Sequence, residues 1–219
     1  MQWPYRIVGG GNGPNRLGLI CGFLGCDIRP FNPLLAALPR IMVVSDSGGA
    51  KDGWLSQFMR LAVAEATDKR AGGEGVLGRL SELMFVEAVR RHLDALPAEQ
   101  SGWLAGLRDQ FVGRALTLLH SKPAQSWTLE QLAREVGLSR SSFAERFVHF
   151  VGQPPMQYLT QWRMQVAAGL LTSGASNIAA IAEDVGYESE AAFSRAFKKL
   201  VGAPPAAWRR QQMGAKQAT

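Results

Sequence analysis

The sequence predicts a mainly α-helical chain in which two tandem helix-turn-helix motifs, joined by a long helix, follow a small α+β region. Two observations support this prediction. Apolar residues recur at helical spacing through most of the chain, and one segment occurs twice, at residues 128–151 and 177–201. Because internal repetition of this kind marks two copies of one structural unit, the second half is expected to contain a duplicated motif.

The first copy reads TLEQLAREVGLSRSSFAERFVHFV and has the punctuation of two short helices. Thr128 is a suitable N-cap, and Gly137 ends the first helix where a left-handed backbone is wanted. Ser139 can cap the next helix, whose inner face contains Phe143 and Phe147. A short helix, a glycine turn and a second helix form the plan of a helix-turn-helix.

The second copy reads NIAAIAEDVGYESEAAFSRAFKKLV and matches the first at each structural position. Gly186 stands where the first copy has Gly137, and Phe193 and Phe197 stand where it has the two phenylalanines. The tails VGQPP and VGAPP also repeat, each followed by an aromatic residue, Tyr158 or Trp208. The match therefore extends beyond the helices into the segments that follow them.

This pair of motifs, the second ending GYESEAAFSRAFKKLVGAPPAAWRR, resembles the DNA-binding domain of AraC-type transcriptional regulators over residues 108–210. The resemblance implies a bacterial, cytoplasmic protein that binds double-stranded promoter DNA through both motifs, with RNA polymerase as a further partner. It also implies a regulator rather than an enzyme. Activation and repression both stay open, as do the operator and any effector.

Composition and charge fit this implication. The chain has 219 residues, of which 47% are hydrophobic and 19% charged, and no apolar run of about 18 residues predicts a membrane span. Glycine and proline interrupt the N-terminus before a signal-peptide core could form, so the cytoplasm is the expected location. Of the net charge of +6, +5 lies from residue 108 onward, which suits a polyanionic partner.

The N-terminal residues 1–50 predict a partial cupin-like β segment. Apolar runs predict strands at Leu17–Leu24 and Ile41–Val44, and between them Asn32 can cap a short helix that begins at Pro33. The stretch CGFLGCDIRPFNPLLAALPRIMVV resembles the end of the cupin-like sensor domain in one branch of AraC-type regulators. A closed barrel with its own ligand pocket is not assumed.

Residues 51–107 predict a helical linker or dimerisation region. Helices are expected at residues 52–67, with Leu61 and Ala62 on the inner side, and at residues 74–96. The apolar positions of the second helix spread beyond one stripe. A homodimer through this half and packing wholly within the chain are equally compatible with that pattern.

Residues 108–219 predict the DNA-binding domain. A first helix is expected at Val112–His120, with Trp127 packing beneath the first motif. A long helix from Met156 to about Leu171 would join the motifs, with Leu159, Trp162, Val166 and Leu170 on its inner face. Its rigidity matters because recognition helices that enter one face of DNA sit about 34 Å apart.

Candidate DNA contacts follow from the outward positions of the two recognition helices. The resemblance supports the following base-reading positions: Arg140, Ser141, Ser142, Glu145 and Arg146 in the first motif, and Glu190, Ala191, Ser194 and Arg195 in the second. Cations and capped helix starts are candidates for phosphate contacts. These are Arg134, Ser139, Arg163, Ser189, Lys198, Lys199 and Arg209.

The remaining motifs favour neither a metal nor catalysis. Cys21 and Cys26 can be buried small residues, a disulfide or a redox-responsive pair, and no further cysteine is present to complete a zinc site. No nucleophile elbow and no HExxH pattern occurs. No cofactor is expected. Two alternative functions stay open: a protein-interaction module that uses the basic half, and a redox-responsive regulator that senses through the two cysteines.

Overall fold

The computed structural model describes residues 5–10, 17–22, 30–45, 53–68, 70–97, 101–174 and 177–217. They fall into two compact units. The first unit takes in the described parts of residues 1–26 and 39–96. The second takes in those of residues 27–38 and 97–219.

The first unit contains a β-hairpin. Strand β1 (Tyr5–Gly10) pairs antiparallel with strand β2 (Leu17–Gly22), and Ile7 lies opposite Ile20. The structure thus confirms the beginning of the strand predicted from Leu17, while residues 23 and 24 lie outside the described part of the chain.

The strand predicted at Ile41–Val44 is wrong. This segment is irregular, and Ile41 and Val43 are 83% and 85% exposed. A strand needs a neighbour for its backbone N–H and C=O groups, and among the described residues the only ladder joins β1 to β2. The apolar run pairs with neither of these strands.

A helical hairpin completes the first unit and confirms the two predicted helices. Helix α2 (Trp54–Asp68) packs against helix α3 (Gly73–Asp94). At their turn, the buried Glu65 carboxylate accepts a 2.6 Å hydrogen bond from Arg70, and a Cβ at Gly73 would approach Glu65 Oε1 to 3.1 Å. Ala62 is buried as predicted, but Leu61 is 58% exposed, so its predicted inward position is wrong.

Among its described residues, the second unit consists of helices joined by loops. Helix α1 (Pro33–Ala37) begins as predicted, because the Asn32 side chain accepts a hydrogen bond from the Leu35 N–H. Short loops join the remaining helices, which are α4 (Trp103–Arg108), α5 (Gln110–Ser121), α6 (Leu129–Val136), α7 (Arg140–Val151), α8 (Pro155–Ser173), α9 (Ile178–Asp184), α10 (Glu190–Val201) and α11 (Pro205–Gln217).

Two buried clusters form the core of the second unit. The first joins α5, α6, α7 and the start of α8, and it includes Trp127, as predicted. The second joins the rest of α8 to α9, α10 and α11. Helix α8 contributes Leu159 to the first cluster and Met164 to the second.

This division corrects the inner face predicted for α8. Leu159 is buried, but Trp162, Val166 and Leu170 are only partly buried. Because the helix serves two clusters in turn, its buried side changes along its length, and no single stripe describes it.

The second unit extends beyond the predicted start of the DNA-binding domain at residue 108. Helix α4 was not predicted, and its Leu104 is buried. The segment before α1 also belongs to this unit: the Phe31 N–H donates to Gln165 Oε1 at 2.9 Å, and the Phe31 ring meets Tyr158 edge-on at 5.5 Å. The predicted domain boundaries stay predictions.

Candidate nucleic-acid interface

The first motif owes its shape to three local devices. Thr128 and Gln131 form a capping box at the start of α6, with hydrogen bonds of 3.1 and 2.9 Å in the two directions. Gly137 ends the helix with φ of 79°. Ser139 then caps α7 by accepting a 3.2 Å bond from the Ser142 N–H. The chain therefore turns sharply into the recognition helix.

The second motif is built in a similar way, with an asparagine at its first helix cap. Asn177 caps α9 by accepting a 2.7 Å bond from Ala180, and Ser189 caps α10 by accepting a 3.2 Å bond from Ala192. Between them Gly186 has φ of 82°. The repeat seen in the sequence is thus a repeat of backbone geometry.

Equivalent aromatic contacts set the inner faces of both recognition helices. In α7 the rings of Phe143 and Phe147 lie 5.7 Å apart, and Phe147 lies 5.8 Å from Tyr158. In α10 the corresponding distances are 5.6 Å, between the two phenylalanines, and 5.8 Å, from the second of them to Trp208. All four phenylalanines are fully buried. The opposite face of each helix therefore points outward.

Most of the predicted base-reading side chains lie on these outward faces. In α7 the exposed residues include Arg140, Ser141, Ser142, Glu145 and Arg146. In α10 Glu190, Ala191 and Arg195 are exposed, whereas Ser194 is half-buried. The structure brings each set together on one helix.

Two of the predicted readers in α7 have ionic partners within the chain. Arg140 donates to Glu130 of α6 at 2.9 Å, on the surface. Arg146 forms a two-pronged ion pair with Asp109 and also lies over the rings of Phe111 and Phe150. Arg146 therefore fastens α7 to the start of α5.

Asp109 is built to hold that arginine. It caps α5 by accepting the N–H groups of Phe111 and Val112 at 3.1 and 2.9 Å. Burial raises the pKa of Asp109, but the hydrogen bond from Arg146 and those from the backbone outweigh burial and hold the pKa below its usual value. The pair favours a structural role for Arg146 over base contact.

The predicted phosphate contacts fall into three groups. Arg134, Lys198 and Lys199 are exposed, and Arg209 is half-buried in α11. Ser139 and Ser189 stand at the capped starts of the recognition helices.

Arg163 forms the third group, because its half-buried guanidinium already donates to the backbone carbonyls of Pro123 and Gln125. Sequence reasoning also missed Glu130 and Asp109 as partners of the α7 arginines. Each partner lies ten or more positions away in the sequence, so only the folded structure shows these pairs.

Comparison with known proteins agrees with this geometry. A family described as "Helix-turn-helix domain" matches residues 132–211, and one described as "Cupin" matches residues 2–94. A Streptomyces lividans protein named as an AraC-like transcription regulator is 45% identical over 194 residues, 88% of this chain and 63% of that protein. The HTH-type transcriptional regulator AlkR of Acinetobacter baylyi is 34% identical over 186 residues, 84% of this chain and 60% of that protein.

The chain belongs to the AraC-type transcriptional regulators. Among solved structures, the C-terminal domain of AraT, a response regulator from Geobacillus stearothermophilus, shares 35% identity over 47% of this chain and 86% of that chain, with a TM-score of 0.46. The chain spans about 49–63% of the length of the AraC-like regulators from the two Streptomyces species that it matches.

The relatives named above are transcription regulators, and this similarity does not favour the two alternative functions. The side chains of Cys21 and Cys26 lie outside the described residues, so the proposed redox pair stays a prediction. Among the residues that are described, no cluster of His, Cys, Asp and Glu could hold a metal ion, and no helix is both long and apolar enough to cross a bilayer.

Proposed function

We propose that this AraC-type regulator binds promoter DNA in a sequence-specific way by placing α7 and α10 in two successive segments of the major groove. The observation that carries the proposal is the equivalent construction of the two helices, each with phenylalanines buried and polar residues outward. A helix at the surface with its N-terminal residues free is the element that reads base edges in helix-turn-helix proteins.

Base reading is assigned to the outward positions that keep free access to solvent. In α10 these are Glu190, Ala191 and Arg195, and in α7 they are Arg140, Ser141, Ser142 and Glu145. The half-buried Ser194 is kept in the set because it lies next to Arg195. Arginine can pair with guanine through two hydrogen bonds, and glutamate can accept from cytosine. Arg146 is left out of this set, because its ion pair with Asp109 and its ring contacts already use the guanidinium.

Phosphate contacts are assigned to three exposed cations, to the half-buried Arg209 and to the two capped helix starts. Arg134, Lys198, Lys199 and Arg209 supply charge, and the N–H groups behind Ser139 and Ser189 supply donors. Contact with RNA polymerase, a cytoplasmic location, and the domain limits 1–50, 51–107 and 108–219 are part of the same proposal and rest on the family.

Selection of bound sites from random duplex DNA by the full chain tests this function. We expect enrichment of a roughly 20-base-pair site with two specified segments one helical turn apart. Binding to that site should weaken by about 10³–10⁵-fold between 50 and 200 mM salt if about six to ten phosphates are contacted. A shuffled duplex of equal composition is the control. Equal affinity for both duplexes at physiological salt would refute sequence-specific regulation.

We further propose that the first unit mediates a homodimer through an apolar face of α3. Val76, Leu83 and Val86 are 45%, 55% and 44% exposed. Leu80 and Met84, on the same helix, are half-buried. The sharper variant is therefore Leu83→Glu, which should sediment as a monomer, whereas Glu82→Lys on the neighbouring face should not. A wild-type chain that stays monomeric at high concentration would exclude the dimer.

A further inference from the structure

The loop between α5 and α6, residues 122–128, is anchored in the first motif. The indole of Trp127 donates to the Lys122 carbonyl at 3.1 Å, and its ring is buried in the first cluster. A turn from Lys122 to Gln125 is closed by a 3.2 Å backbone hydrogen bond. The position of this loop is therefore fixed by the core beneath α6 and α7.

Arg163 of α8 grips the same loop. Its Nε donates to the Pro123 carbonyl at 2.8 Å, and its Nη2 donates to the Gln125 carbonyl at 2.9 Å. The rigid guanidinium fork can reach two carbonyls at once, whereas a lysine ammonium on a flexible stem presents no such fork. The contact joins the middle of the long helix to the first motif across 40 residues of sequence.

The turn of the second motif touches that loop from the other side. A Cβ at Gly186 would come within 2.5 Å of the Ala124 carbonyl oxygen and 2.8 Å of its Cα, so the two backbones are in close contact. The Arg163 guanidinium also lies 5.8 Å from the ring centre of Tyr187, the residue after this glycine. The loop that precedes the first motif thus contacts the turn of the second motif.

We propose that Arg163, with Pro123, Gln125, Gly186 and Tyr187, forms a junction that fixes α7 and α10 relative to one another. Without it, the motifs would be joined chiefly through α8. With it, the contacts of Arg163 and Gly186 with the loop before α6 connect the two motifs at a second place. Arg163 is then a positioning residue, and its guanidinium is not available to a phosphate.

The consequence for DNA rests on the proposed function. Inserting one base pair between the two half-sites moves them apart by roughly 3.4 Å and rotates them by about one tenth of a turn. Two motifs held by a rigid junction cannot follow that change, so the benefit of engaging both is lost. The Arg163 junction would therefore set which half-site spacing the protein accepts.

A measurement without DNA tests the junction itself. Spin labels at Glu145→Cys and Arg195→Cys, equivalent positions of α7 and α10, report the distance between the helices in a full chain with Cys21→Ser and Cys26→Ser. With Arg163 intact we expect one narrow distance distribution. Arg163→Ala and Arg163→Lys should both broaden it. An unchanged narrow distribution in both variants would overturn the proposal, whatever the protein does with DNA.

A second measurement uses the selected operator and copies with one base pair inserted or removed between the half-sites. The intact chain should lose roughly 10²-fold in affinity for the altered spacings. For Arg163→Lys the ratio should fall toward one, while the salt dependence of binding stays that of the intact chain. A phosphate-contacting arginine predicts the opposite: lysine would restore binding, and alanine would lower the salt slope by about one unit. That result would also overturn the junction.

Folding is checked by thermal unfolding of each variant. Should Arg163→Ala fail to fold, Arg163→Lys and Tyr187→Leu decide the question. Tyr187→Leu copies the residue at the equivalent turn position of the first motif, Leu138, and removes the ring beneath the guanidinium. It should broaden the distance distribution less than Arg163→Lys, because the carbonyl contacts remain. Failure to bind any DNA specifically, with a distance distribution that broadens as expected, would reject the proposed function and leave the junction standing.

Discussion

The two helix-turn-helix motifs share a construction but differ in how their outward charges are held. At equivalent positions α7 has Arg140 and Glu145, whereas α10 has Glu190 and Arg195, so the order of the two charges is reversed. A glutamate in the first turn of a helix is favoured by the helix dipole, while an arginine there is not. Arg140 is correspondingly paired with Glu130 at 2.9 Å.

Among the described residues, the cations of α10 have no such partner. Within the described residues, Arg195, Lys198 and Lys199 form no ion pair, whereas both arginines of α7 form one. The first recognition helix is therefore partly neutralised by its own motif, and the second presents its charge to solvent. Duplication has kept the core and the caps, and the two helices differ where they would meet a partner.

The largest expected difference between the motifs is the stability cost of replacing the glycine in the turn. Both Gly137 and Gly186 have positive φ, where a side chain costs about 1–2 kcal/mol. Only the second is also pressed against Ala124. Gly186→Ala should therefore destabilise the second unit by about 2–5 kcal/mol, since overpacking adds about 1–3 kcal/mol, and Gly137→Ala by about 1–2 kcal/mol. Urea unfolding followed by tryptophan fluorescence measures both, and equal losses would contradict the close contact.

The two clusters should also differ in how strongly acid lowers their stability. The half-buried His120 packs against the first cluster: its ring stacks on Trp162 at 4.0 Å, and its Nε2 lies 2.7 Å from the Tyr158 hydroxyl. Burial lowers the pKa of His120 to about 4 from an ordinary value of 6.5. No histidine follows residue 149, so the second cluster has no such group.

The sign of the effect follows from proton binding. Between pH 6.5 and about 4 the unfolded chain binds a proton at His120 that the folded chain does not. The free energy of unfolding should therefore fall with falling pH, by at most about 1.4 kcal/mol per pH unit. The contribution of this group should fade over about one pH unit above 6.5. His120→Phe should flatten the slope. Unfolding midpoints across this pH range decide the matter.

The contrast between the motifs also shows what a sequence can predict. Phe143, Phe193 and the two glycines were placed correctly because their roles depend on neighbours within one or two helical turns. The inner face predicted for α8 is only partly right beyond Leu159: Trp162, Val166 and Leu170 pack against the clusters but are not fully buried. Local spacing cannot indicate where the buried side changes in a helix that packs against two clusters.

Contacts that connect distant residues were out of reach. Arg163 binds backbone carbonyls, which any residue provides, and they lie 40 and 38 positions away. Arg146 meets Asp109 across 37 positions. The sequence predicts base contact for Arg146, an outward arginine on a recognition helix, and phosphate contact for Arg163, a cation of α8. Only packing between helices shows another role for each. The apolar run at Ile41–Val44 failed for a related reason, since a strand depends on a distant partner.

Arg195 and Arg140 should contribute differently to DNA binding, because among the described residues Arg140 has an ion-pair partner and Arg195 has none. If Arg195 pairs with a guanine, Arg195→Ala should cost about 1–3 kcal/mol and relax preference at one base pair. Arg140→Ala should cost less, because Arg140 must first leave Glu130. Repeating the site selection with each variant shows which base pair loses its preference. A uniform loss from Arg195→Ala, with preferences unchanged, would move Arg195 to the phosphate contacts.

Glu130→Gln is the matched control for that difference. It removes the partner of Arg140 without touching either recognition helix, so it should tighten specific binding and narrow the gap between the two arginine variants. No change in either quantity would show that the surface pair does not restrain Arg140.

The smallest expected effect concerns the ends of the recognition helices. Lys199 lies in the last turn of α10 and is exposed, and the equivalent position of α7 is His149. Near a helix end a cation can reach the DNA backbone but not the bases. Lys199→Ala should therefore weaken binding to all sequences alike and lower the salt slope by about one unit.

The converse test places a cation at the equivalent position of α7. If the two motifs sit equivalently on DNA, His149→Lys should raise the salt slope by about one unit and leave base preferences unchanged, because it gives α7 the cation that α10 already has. The slope of log affinity against log salt for the selected operator measures both variants. A change from Lys199→Ala without one from His149→Lys would mean that the end of α7 stands further from the backbone than the end of α10. The motifs would then be alike in fold and unlike in docking.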